Sequence, residues 1–174
     1  FMQHIPRKRF GQNFLIDPQI VADIIRAIHP GKDDLLMEIG PGLGALTRPL
    51  LQSLDHLQVV EIDRNIVERL HREFLEERLT IHSADALEFD FSVLGKNLRV
   101  VGNLPYNIST PLLFHLAQFA DGIRDMHFML QKEVALRLAA AAGTEGYGTL
   151  AVQVGLLADI GPLLPLPPGA FRPA

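Results

Sequence analysis

Between residues 33 and 140, short apolar runs rich in β-branched residues alternate with segments of helical periodicity. That alternation is the pattern of an α/β domain built on a mostly parallel sheet. Strands are predicted at Leu35–Ile39, Leu57–Ile62, Leu79–His82, Leu98–Gly102 and Met126–Leu130, each short and apolar enough to lie inside a covered sheet. Helices are predicted between and after them, at Ala45–Ser53, Asn65–Leu75, Thr110–Ala120 and Lys132–Ala141. Upstream, Asp17-Pro18 reads as an N-cap followed by proline at the first helical position, and Ile20, Ile24, Ile25 and Ile28 give that helix one apolar face. After residue 141, Gly143, Gly146 and Gly148 mark a loop, followed by a helical run at Thr149–Leu157 and a strand at Ile160–Leu166 that Pro167-Pro168-Gly169 ends. An open sheet whose last strand is followed by eight loop-like residues has an uncovered edge, so the chain is expected to be incomplete at its C-terminus.

Composition adds little to this picture but removes several classes. The 174 residues, 48% hydrophobic and 21% charged, suit one globular domain with its own core. There is no cysteine, which excludes disulfides and thiolate metal sites and fits a reducing compartment. The most apolar stretch, Tyr147 to Leu166, contains Asp159, Gly161, Pro162 and Pro165 and reads as buried structure rather than a membrane span. No apolar segment of secretory type follows the basic cluster near the start, so a cytoplasmic location is expected.

The net charge of −4 argues at first against a nucleic-acid partner. It hides an asymmetry, because residues 1 to 14 carry Arg7, Lys8 and Arg9 with no acid and stand at +3, leaving −7 for the remainder. Such a short cationic run is more often a solvated tail. Followed at once by Phe10-Gly11-Gln12-Asn13-Phe14, it also reads as a flap over a ligand site that touches phosphates.

The first strand runs into Gly40-Pro41-Gly42-Leu43-Gly44-Ala45 and then a helix. Glycines there permit positive φ and let a ligand lie against backbone at a helix N-terminus. A tight turn without a ligand would not need three glycines in five residues. Gly40, Gly42 and Ala45 also satisfy a dinucleotide-binding pattern, with Glu61 placed 21 residues beyond Gly40 to take a ribose, so an NAD enzyme is one reading. Glu61 and Asp85 end the second and third strands, at the carboxyl edge where such sheets bind ligands. A carboxylate at the first position suits ribose hydroxyls, and one at the second can accept from an adenine amine; a turn cap is the plainer role for Asp85.

The fourth strand ends in Gly102-Asn103-Leu104-Pro105-Tyr106-Asn107, which sets an amide, a fixed bend and an aromatic ring at the same edge. Asn-x-Pro can simply end a strand, and Tyr106 can be a core aromatic. The chemical reading is more specific. The exocyclic amine of adenine is a poor nucleophile because its lone pair is delocalised into the ring. The Asn103 side-chain oxygen and the Leu104 carbonyl can each accept one amine hydrogen, with Pro105 holding that carbonyl in place. Those bonds favour a pyramidal nitrogen and strengthen as positive charge develops on it. Tyr106 offers a face for an extruded base, a stacking contact of about 1–3 kcal/mol.

These residues resemble a known family. Asn103-Leu104-Pro105-Tyr106 is similar to the Asn/Asp-Pro-Pro-Tyr/Phe motif of amino-methyltransferases, and Glu38-Ile39-Gly40-Pro41-Gly42-Leu43-Gly44 to their S-adenosylmethionine motif. With Arg7 to Leu15, Asn103 to Thr110 and Met129-Leu130-Gln131-Lys132-Glu133-Val134, the chain resembles the ribosomal RNA small-subunit adenine N6,N6-dimethyltransferase family from Arg7 to Pro173. The resemblance implies a Rossmann-like class I S-adenosylmethionine-dependent methyltransferase fold, with helices on both faces of the sheet. It further implies an RNA-binding transferase of rRNA processing and ribosome biogenesis. This enzyme would dimethylate two adjacent adenosines in the hairpin near the 3′ end of 16S rRNA, as a monomer acting on the pre-30S particle without metal or membrane. Carried over by position, cofactor contacts fall on Asn13, Leu15, Gly40, Gly42, Glu61, Ile62, Asp85, Ala86 and Asn103. Asn103, Leu104, Pro105 and Tyr106 would be catalytic, Tyr106 and Phe171 would hold the base, and Arg7, Lys8 and Arg9 would meet RNA. Lys132 and Arg137 would add backbone contacts or simply form a solvated face.

Residues 1–16 then read as a basic flap and 17–174 as a catalytic domain lacking the family's last strand and small helical C-terminal domain. Two further readings stand beside this one. A related methyltransferase of 23S rRNA, of the macrolide-resistance type, shares the glycine and Asn-x-Pro-Tyr motifs. A non-catalytic assembly factor would need no cofactor, and the intact Asn103, Tyr106 and glycine turn speak against it.

Overall fold

The computed structural model describes residues 18–105 and 107–130 with side chains, and the backbone of 151–155 and 160–165. Helix α1 (Pro18–Ile28) leads into β1 (Leu36–Ile39), followed by α2 (Thr47–Ser53), β2 (Leu57–Glu61), α3 (Arg64–Glu73) and β3 (Leu79–Ser83). Then come β4 (Leu98–Asn103), α4 (Ser109–Ala117), β5 (Ile123–Met129), β6 (Ala151–Gly155) and β7 (Ile160–Pro165). The strands form one sheet in the order β3-β2-β1-β4-β5-β6-β7. All neighbours are parallel except β6 and β7, which are antiparallel.

The side-chain alternation of the central strands sorts the core into two layers. Met37, Ile39, Val100, Met126 and Phe128 point to one face, where Leu112, Leu113 and Leu116 of α4 and the buried Phe91 cover them. Leu36, Val59, Val101 and Met129 point to the other, under Ile24 and Ile28 of α1, Leu50 and Leu51 of α2, and Ile66 and Leu70 of α3. Helices therefore lie on both faces, as expected for strands that are apolar throughout.

Two sequence expectations change. The run at Thr149–Leu157 was expected to be helical, but residues 151–155 form strand β6, in register with Asp125 to Met129 of β5. A short apolar run such as Ala-Val-Gln-Val-Gly has no period that separates a buried helix from a strand, and the open edge of β5 supplies the partner that decides it. β5 also starts earlier than predicted, at Ile123, because Asp125 pairs with Arg99 of β4 instead of ending the strand. The expected helix Lys132–Ala141 and the N-cap Asp17 lie outside the described residues.

The edge of the sheet formed by the strand N-termini is closed by a buried charge cluster. Arg99, whose side chain is only 4% exposed, donates to Asp125 at 2.9 Å and Asp34 at 2.8 Å. It also takes the carbonyls of Ile28 and His29 at the end of α1. At the opposite edge, where the strands end, the described residues leave a crevice. In this strand order β1 and β4 flank the point where the chain reverses direction, the usual crevice of open α/β sheets.

Candidate active site

A cavity of about 500 Å³ opens at that crevice, within the size range of small-molecule sites. Its lining comes from the ends of four strands: Glu38 and Ile39, Val60 to Ile62, Ala84 to Leu87, and Asn103 with Pro105. The floor is the turn after β1. Gly40, Gly42 and Gly44 have φ of 65°, 56° and 90°, a region that side-chain-bearing residues avoid, which explains the three glycines.

The turn is tied to β2 at two points. The Gly40 amide donates to the Val60 carbonyl at 2.9 Å, and the Gly42 amide to Glu61 Oε1 at 3.3 Å. Glu61 Oε2 accepts the Asp63 amide at 3.0 Å, and Asp63 in turn caps α3 by accepting the Asn65 amide at 2.9 Å. Burial, with the nearby Asp63 charge, raises the Glu61 carboxyl above its ordinary value against the pull of the Asp63, Gly42 and Ile62 amides. Glu38 is the other buried carboxyl of the lining and is 2% exposed. It accepts a 2.6 Å hydrogen bond from the Thr47 hydroxyl, and burial, reinforced by the Glu61 charge, pushes it up to about 7.

On the far wall, Asp85 accepts the Leu87 amide at 2.9 Å, so the plainer role of turn cap and a place in the cavity wall both hold for it. Asn103 is the last residue of β4 and lines the cavity. The peptide after it is fixed on both sides: the Leu104 amide donates to the Met129 carbonyl at 3.1 Å, and the Pro105 carbonyl accepts the Ser109 hydroxyl at 2.9 Å. Gly102 permits this close packing, since a Cβ there would sit 2.9 Å from the Ile39 carbonyl oxygen. Ile62, 46% exposed, leaves an apolar side chain open at the rim.

A glycine turn, two buried carboxyls and an Asn-Leu-Pro bend meet around one crevice at the edge where the strands end. Comparison with known proteins is decisive for the family. The sequence profile of "Ribosomal RNA adenine dimethylase" matches residues 3–174. The chain belongs to the ribosomal RNA adenine dimethylase family.

Among the relatives of this chain, "Ribosomal RNA small subunit methyltransferase A" of Nitrosospira multiformis is 63% identical over 172 residues, 99% of this chain. The chain spans 66% of that relative's length. Among solved structures, a dimethyladenosine transferase from Plasmodium falciparum superposes with a TM-score of 0.63 at 31% identity, over 75% of this chain and 48% of that one. The 23S rRNA methyltransferase ErmE superposes with a TM-score of 0.66 at 26% identity, over 75% of this chain and 53% of that one.

Of the predicted site residues, the fold brings Gly40, Gly42, Glu61, Ile62, Asp85, Ala86, Asn103 and Pro105 around one cavity. Leu104 is buried behind it. Asn13, Leu15, Arg7, Lys8, Arg9, Tyr106, Phe171, Lys132 and Arg137 lie outside the described residues. Missing from the prediction were Glu38, Arg48 and Asn107, which also line the cavity. Glu38 carried a readable signal, as the lone charge in the apolar run Leu35-Leu36-Met37-Glu38-Ile39. Among the described residues no helix is long and apolar enough to cross a membrane, and no three His, Cys, Asp or Glu side chains are grouped to hold a metal.

Proposed function

We propose that this chain is the methyl-transfer part of an S-adenosylmethionine-dependent enzyme that dimethylates the N6 amines of two adjacent adenosines near the 3′ end of 16S rRNA. In this reading it acts as a monomer on the pre-30S particle. The observation that carries the reading is the Asn103-Leu104-Pro105 bend at the rim of the same cavity as the glycine turn and Glu61. The 63% identity to a protein named a small-subunit methyltransferase favours 16S over 23S rRNA.

The cavity suits the cofactor in size and in chemistry. Glu61 would hold the ribose hydroxyls and Asp85 would accept from the adenine amine, with Ile62 and Ala86 supplying apolar contact to the ring; all four residues line the cavity. Gly40 and Gly42 let the remaining part approach the backbone. Glu38 offers negative charge to the cationic end once it ionises. When bound, S-adenosylmethionine supplies a methyl group on a positively charged sulfur, which leaves as a thioether.

At the target base, Asn103 and the Leu104 carbonyl accept the two amine hydrogens and draw the nitrogen toward a tetrahedral shape. The backbone on either side of the Leu104 carbonyl is held before substrate arrives. The Leu104 peptide is held by Met129, and the Pro105 carbonyl by Ser109 and the Ile108 amide. The amine gains the methyl group and gives up a proton to solvent. Tyr106, next in sequence, is the base's stacking partner in this reading.

The test is transfer of labelled methyl groups to 30S subunits lacking dimethyladenosine, by a protein of the relatives' full length carrying this chain. Dimethyladenosine at the paired sites is expected for the wild type. Asn103→Ala is expected to lose at least about a hundredfold in rate, the scale for removing one donor or acceptor aimed at transition-state charge. No transfer, or labelling of 23S rRNA, overturns the proposal, and the latter would support the reading that the likeness to ErmE suggests.

A further inference from the structure

The glycine turn is held on its inner side by β2, and its tip is held by Arg48 at the cavity wall and by Glu73 behind it, residues with no place in the motif. Arg48, on the first turn of α2, donates through Nη2 to the Leu43 carbonyl at 2.8 Å. Its guanidinium lies against the backbone of Gly44, where a Cβ would stand 3.2 Å from Arg48 Cζ. The same guanidinium is fixed by Glu73, the last residue of α3, through Nε to Oε1 at 2.5 Å and Nη2 to Oε2 at 2.9 Å. This is the two-pronged geometry of the strongest arginine–carboxylate pairs.

We propose that Arg48 and Glu73 form a clamp that sets the glycine turn in its cofactor-binding shape before the cofactor arrives. The proposal rests on the reading above that this cavity takes S-adenosylmethionine. Three left-handed glycines within five residues have more backbone freedom to lose on binding than any other sequence would, so an unheld turn binds more weakly. Helix α3 acts as a strut with both ends on the turn. At its start, Asp63 and Gly42 share the Glu61 carboxylate; at its end, Glu73 reaches Leu43 through Arg48. The pair is too exposed to add much to global stability, with side chains 48% and 33% accessible, so its effect falls on the turn.

Calorimetric titration of this chain with S-adenosylhomocysteine tests the clamp, alongside hydrogen exchange at the Gly42 to Ala45 amides and melting of the unliganded protein. Arg48→Ala and Glu73→Gln are expected to weaken binding by about three- to tenfold, the range for an ordinary lost hydrogen bond, since the partly exposed pair does not reach the strength of a buried charge-assisted one. Exchange at the turn should quicken while Tm moves by no more than about 2 °C. The double variant should be no worse than Arg48→Ala alone, and Arg48→Lys should recover little, because one ammonium cannot take both prongs and the carbonyl. Unchanged affinity in Arg48→Ala, additive losses in the double variant, or a loss matched by a large fall in Tm would each overturn the clamp. If the wild-type chain fails to bind, the cofactor reading falls instead, and exchange at the turn of the unliganded variants still decides whether the clamp holds it.

Discussion

Glu38 is expected to make binding of a cationic ligand in the cavity depend on pH. Its carboxyl is buried on β1 beneath α2, and burial pushes it from the ordinary 4.5 to about 7, with the Glu61 charge adding and the Thr47 hydroxyl opposing. The folded chain therefore holds a proton between those values that the unfolded chain releases. This carboxyl's contribution to stability is fully present below the unfolded value and is lost as pH rises toward 7, a cost of about 3 kcal/mol at about 1.4 kcal/mol per unit. A cationic ligand in the cavity favours the ionised form and draws that proton off. If only the ionised form binds, the competent fraction is about one tenth at pH 6 and about nine tenths at pH 8, so affinity rises roughly tenfold across that interval. Titration calorimetry with S-adenosylmethionine at each pH, in two buffers of different ionisation enthalpy, reads both the slope and the released proton. Glu38→Gln should flatten the Glu38 part of the profile, and the ligand's own titration, common to both proteins, cancels in the comparison. The same variant should be more stable than the wild type at pH 8 and not at pH 4. Equal slopes in the two proteins, or no proton release from the wild type below pH 7, would refute the reasoning.

Gly102→Ala places a methyl 2.9 Å from the Ile39 carbonyl oxygen and 3.2 Å from Leu104, so β1 and β4 must spread. A cost of about 1–3 kcal/mol is expected, read as a fall of several degrees in Tm. Methylation should fall further than stability does, because Asn103 is the next residue and moves with the strand. Arg99→Ala leaves the partly buried Asp34 with Arg124 at 3.5 Å and Asp125 with His127 at 3.5 Å as their remaining partners, and should cost about 3 kcal/mol, the low end for breaking a buried pair, in urea denaturation. Burial raises both carboxyls, but the Gly31 amide and Arg99 hold Asp34 below its ordinary value, and His127 and Arg99 do the same for Asp125. Their contribution is present above the unfolded value of 3.8 and is lost as pH falls through the lowered ones. Acid melting of the wild type should steepen below about pH 4, and the Arg99 variant should lose much of that dependence.

How much of this was legible depended on whether the information was local. Strands β1 to β4 stood within one residue of their predicted limits, because each is a short run rich in apolar and β-branched residues between turn signals. β5 was read three residues short at its start, since Arg124 and Asp125 look like a strand end until Arg99 is known to face the acid. β6 was misread altogether, its five residues having no period that excludes a helix. At the site, the glycine turn, Glu61, Asp85 and Asn103 were readable because each sits at the end of a strand, where the topology gathers them.

The linear order of residues determined the sheet's strands, the left-handed turn at Gly40 to Gly44, and an amide and proline bend at the same edge, because each follows from neighbours along the chain. Tertiary structure alone decided the state and fixing of those groups. Glu38 is raised by burial and by Glu61 across the sheet, while the hydroxyl of Thr47, not an adjacent residue, donates to its Oε1 and opposes that rise. Glu61 binds the turn it faces, and Arg48 reaches Glu73 from 25 positions away. No spacing along the chain encodes these pairings, for desolvation and charge proximity exist only once separate elements are packed against each other.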